Sequence, residues 1–331
     1  MVNYQIINTE DGVGLRLDMF LFRELVNKYP EYKITRSFVS NNASKFVLVN
    51  DEVKKKGYIV KSNDKVEIDK EGLEKFLKQD RNTEILPQKG NLDIIYEDDH
   101  ILVINKASGV VVHLGDGNKE NTLVNHLRYY FESKGIDCNQ LERCGLVHRL
   151  DKGVSGLMII AKDRETQFLL KKQFEEHKVV KIYKAKVVGE VEKIDRSRIG
   201  DFVISNKTAK EELDAFVKND FKVDSSWSRV EGYIKRDRIN RKRMRFNSEK
   251  EDLTSKYALS YFKFLKNNEV LIKIETGRMH QIRATLKFLG LVIEGDTLYS
   301  SGNKNSNLIA LSSVLLGANI NANKFMHWEL I

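Results

Sequence analysis

Cysteine occurs twice in the 331 residues, as Cys138 and Cys144. Two thiols so placed are too few and too far apart for a zinc site or a disulfide framework, so a hydrophobic core is expected to hold the fold. The opening MVNYQIINTEDG has neither a basic start nor an apolar centre, which excludes a secretory signal of the usual kind. No apolar run approaches the roughly 20 residues that cross a bilayer. A soluble, cytoplasmic chain with no membrane partner is expected. There is no Gly-rich dinucleotide fingerprint, no P-loop and no metal-ligand cluster, so no nucleotide cofactor, other cofactor or metal is expected. Internal repeats and low-complexity tracts are missing too.

What the chain does have is length, apolar residues and positive charge. Its length suggests about two domains, and 41% hydrophobic residues suffice to bury a core. Lys and Arg number 56 against 47 Asp and Glu, a net charge of +9. That surplus suits a polyanion, because each basic contact releases condensed counterions; a merely Lys-rich chain would show it as well.

Residues 13–70 read as a small unit. LRLDMFLFRELVNKY places Leu15, Leu17, Phe20, Leu21, Leu25 and Val26 on a helical face, with Asp18 and Glu24 outside it. ITRSFVSNNASKF follows as a second short helix with Thr35 as N-cap, and short β-rich runs broken by Asn50-Asp51, Gly57 and Asn63-Asp64 complete it. Residues 71–90 are charged, contain Pro87 and read as a linker. From 91 to 331 the strands lengthen and alternate with helices: LDIIYEDDHILVINK is a strand pair, TLVNHLRYYFES and RETQFLLKKQFEEH are helices, KIYKAKVVGEV is a strand, and YALSYFKFLKNNEVLIKIE is a further pair. Antiparallel pairs with helices between them predict an α+β fold on a mixed, mainly antiparallel sheet. Residues 191–255 are polar with weak periodicity and read as an insertion.

Three stretches carry candidate chemistry. In GLVHRLDKGVSGLMIIAKD, residues 145–163, Asp151 stands on a Gly- and Ser-containing turn ahead of an apolar strand. A charged turn between core elements explains it as simply. His148, Asp151 and Ser155 have the residue types of a hydrolase triad, but triad members normally come from separate segments, and GVSGL lacks a Gly of the G-x-S-x-G elbow. Two such residues are also a weak metal site. In TGRMHQIRATLKFLG, residues 276–290, a helix from about Met279 would bring His280, Arg283 and Lys287 to one face, with Arg278 at its N-terminus, as an anion site would require. RDRINRKRMRF, residues 236–246, with Lys235 before it, has enough cations to grip a phosphate backbone, Arg241 and Lys242 among them. Charge runs are more often solvated loops.

Taken together, LDIIYEDDHILVINKASGVVVHLG, HRLDKGVSGLMIIAK, KIYKAKVVGEV and LIKIETGRMHQIRATLKFLGLVIEGDTLY resemble, in order, the segments of the RluA-type pseudouridine synthases. Residues 13–69 resemble the S-four-like RNA-binding domain often fused ahead of that catalytic domain. The resemblance implies an enzyme that isomerises uridine in RNA, large-subunit rRNA foremost, as a monomer without cofactor. It implies Asp151 as the catalytic carboxylate, Tyr183 stacking on the uracil and Arg283 holding Asp151 ionised. Arg149 would enter the RNA stack as the base leaves, with His148 ordering the loop or contacting the RNA backbone, and Arg278, His280, Arg241, Lys242, Lys54 and Lys55 on the RNA. A tRNA target and a noncatalytic ribosome-assembly factor are the alternatives. The chain departs from the pattern at Ala107 and Leu114, where Pro is usual, and at Val154, where Thr is; RATLKFLGLVIEGD lacks a usual His and Pro. None of these removes a charged residue of the signature.

Overall fold

The computed structural model describes residues 4–7, 10–29, 34, 36–81, 85–115, 117–300, 308–321 and 324–330. Thr35, the expected N-cap, lies outside them. The chain divides into two compact units, Met1–Glu84 and Ile85–Ile331.

In the first unit β1 (Tyr4–Ile7), α1 (Leu17–Lys28), α2 (Arg36–Asn42), β2 (Val47–Val49), β3 (Val66–Asp69) and α3 (Lys70–Arg81) follow in order, and the strands form a sheet β1-β3-β2. Leu17, Phe20, Leu21 and Leu25 recur at helical spacing and are buried, each contributing about 2 kcal/mol of apolar transfer. Asp18, expected outside this face, is buried instead, because Arg16 and Arg36 reach it at 2.9 and 3.3 Å. Two boundaries also differ from expectation. The unit begins before residue 13, since β1 pairs with β3. The stretch read as linker starts with α3, whose Leu73 is fully buried in this unit's core; the surrounding Lys and Glu hid that anchor.

The second unit is built on β4 (Asp93–Glu97), β5 (Ile101–Lys106), β6 (Ser155–Ala161), β7 (Val180–Val188), β8 (Ile204–Ser205), β9 (Ser228–Arg236), β10 (Met244–Asn247), β11 (Lys256–Leu265), β12 (Glu269–Ile274), β13 (Val292–Ile293), β14 (Leu311–Asn321) and β15 (Lys324–Glu329). Among the described residues the main path runs β10-β9-β11-β12-β7-β14-β6-β5-β4. Neighbours are antiparallel except β6 with β14 and β8 with β11, so the mixed, mainly antiparallel α+β sheet is present. Around it lie α4 (Leu123–Ser133), α5 (Arg164–Glu175), α6 (Ala209–Lys218) and α7 (Gln281–Phe288). α4 starts in a capping box of Thr122 and Asn125, and Asp163 caps α5 by accepting from the Thr166 N–H at 2.8 Å.

The expected insertion is no appendage: residues 191–255 supply β8, α6, β9 and β10. β9 buries Val230 and Ile234 while Arg229 and Glu231 face outward, and this charged outer row masked its period of two. Cys138 and Cys144, expected to stay apart, are joined in a disulfide.

Candidate active site

Asp151 owes its position to two turns that hold each other. β5 ends at Lys106, whose fully buried ammonium donates to the carbonyls of Ala107 and Val110 at 2.8 and 2.9 Å and to that of Lys152 at 3.4 Å. The Gly109 N–H donates to the same Lys152 carbonyl at 2.8 Å, and the Ser108 hydroxyl donates to Gly153 at 2.6 Å. The 151–154 turn closes through the Val154 N–H on the Asp151 carbonyl at 3.0 Å. Burial lowers the Lys106 pKa to about 8, against the opposing pull of the Asp151 charge. After the turn, β6 runs against β14 so closely that a Cβ on Gly156 would lie 2.3 Å from the Ser313 carbonyl oxygen; its φ of 111° also demands glycine. Leu157, Met158, Ile159 and Ile160 behind it are fully buried, which makes the support rigid.

The Asp151 carboxylate is 22% exposed and has two basic neighbours on one oxygen. Arg283 Nη1 lies 3.4 Å from Oδ2 and His280 Nε2 lies 3.6 Å from it. Yet the guanidinium is chiefly bound elsewhere: Nε and Nη2 donate to Asp296 at 2.7 and 2.8 Å in a two-bond fork. Burial opposes the Arg283 charge, but the bonds and charge of Asp296, with Asp151 behind them, raise its pKa overall. The backbone N–H groups of Leu298 and Tyr299 complete the Asp296 shell at 3.1 and 3.2 Å. Asp296 and Tyr299, the Asp and Tyr of GDTLY, had no assigned part in the sequence reading, and Lys106 had none either.

A cavity of about 200 Å³ opens beside Asp151 and is lined by Tyr183, Arg149, Arg278, His280 and Arg283 with apolar neighbours. Tyr183 comes from the middle of the sheet, on β7 between β12 and β14. Burial pushes its phenol well above the usual range, and the Asp151 charge adds to this. Arg149 is exposed at the cavity, while Arg278 donates from Nε to the Tyr257 carbonyl at 2.8 Å. The expected one-sided helix of His280, Arg283 and Lys287 does not form: α7 begins at Gln281, His280 is its left-handed N-cap at φ 53°, Arg283 is buried and Lys287 is exposed. Arg241 and Lys242 are exposed in the β9–β10 turn and do not line this cavity. In the first unit a separate concavity of about 1090 Å³ is bordered by Arg16, Asn41, Lys54, Lys55 and Lys56. Lys54 there is paired with Glu52.

His148, expected to order the loop or to meet the RNA backbone, is engaged in the fold. Its Nε2 accepts from the Ile159 N–H at 3.0 Å and its ring stacks on Phe174 with centroids 4.6 Å apart. Burial, helped by Lys181, lowers its pKa to about 3. Between pH 3 and about 6.5 the unfolded chain therefore binds a proton that the folded chain does not, so stability rises with pH there and falls as acid is added. The expected loss from this residue is about 1.4 kcal/mol per pH unit below 6.5. Urea unfolding of the parent and of His148→Gln, which keeps an acceptor without titrating, checks it: the difference should shrink steadily with acid, whereas parallel pH curves would contradict it.

No group of three or more metal-ligating side chains occurs among the described residues, and no helix among them is long and apolar enough to cross a membrane.

The family described as RNA pseudouridylate synthase matches residues 100–288. The chain is 30% identical over 311 residues to the ribosomal large subunit pseudouridine synthase D of Zymomonas mobilis subsp. mobilis, covering 92% of this chain and 83% of that one. It is 32% identical over 295 residues to the protein of the same name in Buchnera aphidicola subsp. Acyrthosiphon pisum, covering 89% and 78%. With the uncharacterized RNA pseudouridine synthase YhcT of Bacillus subtilis it shares 30% identity over 271 residues, covering 80% and 74%. Among solved structures, human RNA pseudouridylate synthase domain containing 1 aligns with a TM-score of 0.51 at 21% identity, over 74% of this chain and 86% of that one, a likeness of fold.

Proposed function

Because the chain belongs to the RNA pseudouridylate synthase family, we propose that the cavity beside Asp151 receives a uridine turned out of large-subunit rRNA and converts it to pseudouridine. The reaction breaks the N1–C1′ bond and rejoins the ring through C5, with no redox change and no net energy input. The observation that carries the reading is one carboxylate, Asp151, held by two interlocked turns at a cavity of about 200 Å³ that also presents Tyr183 and several cations.

Each residue has a part in this reading. Asp151 is the carboxylate that acts on the nucleoside, and Tyr183 stacks on the freed uracil. Arg283 pairs with the Asp151 carboxylate from 3.4 Å and fixes its orientation. Arg149, exposed at the rim, fills the gap the flipped base leaves in the RNA stack. Arg278, Arg241 and Lys242 meet phosphates. His148 orders the loop from beneath, through Ile159.

The rRNA target is favoured by relatives named as ribosomal large subunit synthases. The first unit, S-four-like in this reading, adds RNA contacts through Lys54, Lys55 and Lys56 around its concavity. Removing residues 1–84 should therefore raise the RNA Kd and lower the slope of its log against log salt by roughly 2, for about three phosphates at ~0.7 each. The single-turnover rate at saturating protein should change little; a fall as deep as that of an Asp151 variant would contradict this division. Mapping pseudouridine through rRNA and tRNA with and without the gene tests the target. Loss confined to large-subunit rRNA is expected, and loss confined to tRNA would overturn the rRNA assignment.

A further inference from the structure

The reaction must remove the hydrogen at C5 and place one on N1, and the geometry points to the residue that carries it. Tyr299 packs edge-on against the His280 ring. Its hydroxyl accepts from the Met244 N–H at 2.8 Å and donates to the Met244 carbonyl at 3.0 Å, so it satisfies the outer side of β10, the last strand on that side of the main path. The phenol has one hydrogen, and the carbonyl takes it. His280 Nδ1, 3.2 Å from the same oxygen, must then be a donor. A neutral ring with its hydrogen on Nδ1 has a bare lone pair on Nε2, and Nε2 lines the cavity side, 3.6 Å from Asp151 Oδ2.

We propose that His280 is a catalytic residue: Nε2 takes the proton from C5 after C5 has bonded to C1′, and returns a proton to N1. In that step the C5–H electron pair becomes the C5=C6 bond, the C6=N1 pair moves to N1, and N1 is protonated. Imidazole is regenerated and nothing is oxidised. The proposal rests on the pseudouridine synthase reading of this cavity.

The surroundings suit the task. Burial keeps the neutral ring favoured, the Asp151 charge opposes this, Arg283 and Arg149 reinforce it and Asp296 opposes it, and the net pKa lies below the usual histidine value. Besides the Tyr299 contact, Tyr183 and Arg278 line the same cavity. Once protonated, the ring has the Asp151 carboxylate beside Nε2. Tyr183 is unsuited to the same task, since its raised pKa keeps the phenol protonated near neutrality, and the arginines have no lone pair to offer. Among the described side chains lining the cavity, Asp151 and His280 offer the lone pairs suited to taking a proton, and His280 is the one that the sugar step leaves uncommitted throughout.

His280→Asn is the informative variant. Asn tolerates the left-handed backbone of this position, and its amide N–H can replace Nδ1 on Tyr299 while Nε2 is lost. The substrate is total RNA from a strain lacking the gene, with hydrogen or deuterium at uridine C5. Under single turnover at saturating protein, the variant should be slower by about 10²–10³-fold, with unchanged RNA Kd and a primary isotope effect at C5 larger than the parent's. The parent's rate should fall in acid below the usual histidine pKa, and that limb should vanish in the variant. Tyr299→Phe, which removes the tautomer-fixing hydroxyl, should move the limb without abolishing it. Weaker RNA binding with an unchanged saturated rate would make His280 a phosphate contact and overturn the proposal. So would a slower variant with the parent's isotope effect and acid limb, or a Tyr299→Phe limb in its original place. A parent that forms no pseudouridine in this RNA would remove the reading of the cavity itself, a separate failure.

Discussion

Asp151→Asn should reduce pseudouridine formation by at least about 10³-fold, on the order of 4 kcal/mol of transition-state stabilisation, with the fold intact. The amide has the size of the carboxylate and can still accept from Arg283, now 3.4 Å from Oδ2. The two interlocked turns around it use backbone groups, Lys106 and Ser108, none of which the substitution touches. RNA affinity should hold or increase, because a negative charge is removed from beside Arg283 and His280. Single-turnover conversion and filter binding on the same RNA separate the two effects. A variant with turnover comparable to the parent would refute the role of Asp151.

The second large effect falls on stability. Arg283→Ala should destabilise the second unit by about 3–5 kcal/mol, the usual cost of stranding one member of a buried ion pair. The stranded group is Asp296, whose side chain is 1% exposed and receives both outer bonds of the Arg283 fork. Loss of activity in this variant would thus combine a weaker hold on Asp151 with a disturbed Asp296 turn. Arg283→Lys keeps the charge without the fork and should recover only part of the stability. Arg278→Ala is the contrast: a half-buried side chain with one bond to a backbone carbonyl should cost under about 1 kcal/mol and show its effect in RNA affinity. Denaturant unfolding of the three variants decides the order. Equal midpoints for Arg283→Ala and the parent would show that the Asp296 pair contributes nothing.

That Asp151, Tyr183 and Arg283 would meet at one cavity was legible because each sits in a compact motif whose neighbours are characteristic. The partners that set their geometry were not. Asp296 lies 13 positions beyond Arg283 and Tyr299 lies 19 beyond His280, past a turn, and nothing in GDTLY states which side chain each will meet. Lys106 reads as a charge ending a strand, although the fold buries it completely among carbonyls. His148 reads as a cation beside an Asp, but the path of β6 brings the Ile159 N–H to it. Strands with strong alternation or nearly full burial, such as β6 and β7, were clear from their residues. The charge-rich α3 and the edge strand β10 were not, since a buried Leu73 or Phe246 in a stretch dense with charged residues gives too weak a period.

The central claim is that this chain isomerises uridine with its own side chains. The direct measurement is nucleoside analysis of total RNA from a strain lacking the gene, after incubation with the purified, extensively dialysed protein, a chelator and nothing else. The account predicts new pseudouridine at one or a few defined positions with the parent and none with Asp151→Asn. Formation by both proteins alike, or by the parent only after a metal or cofactor is added, would contradict it.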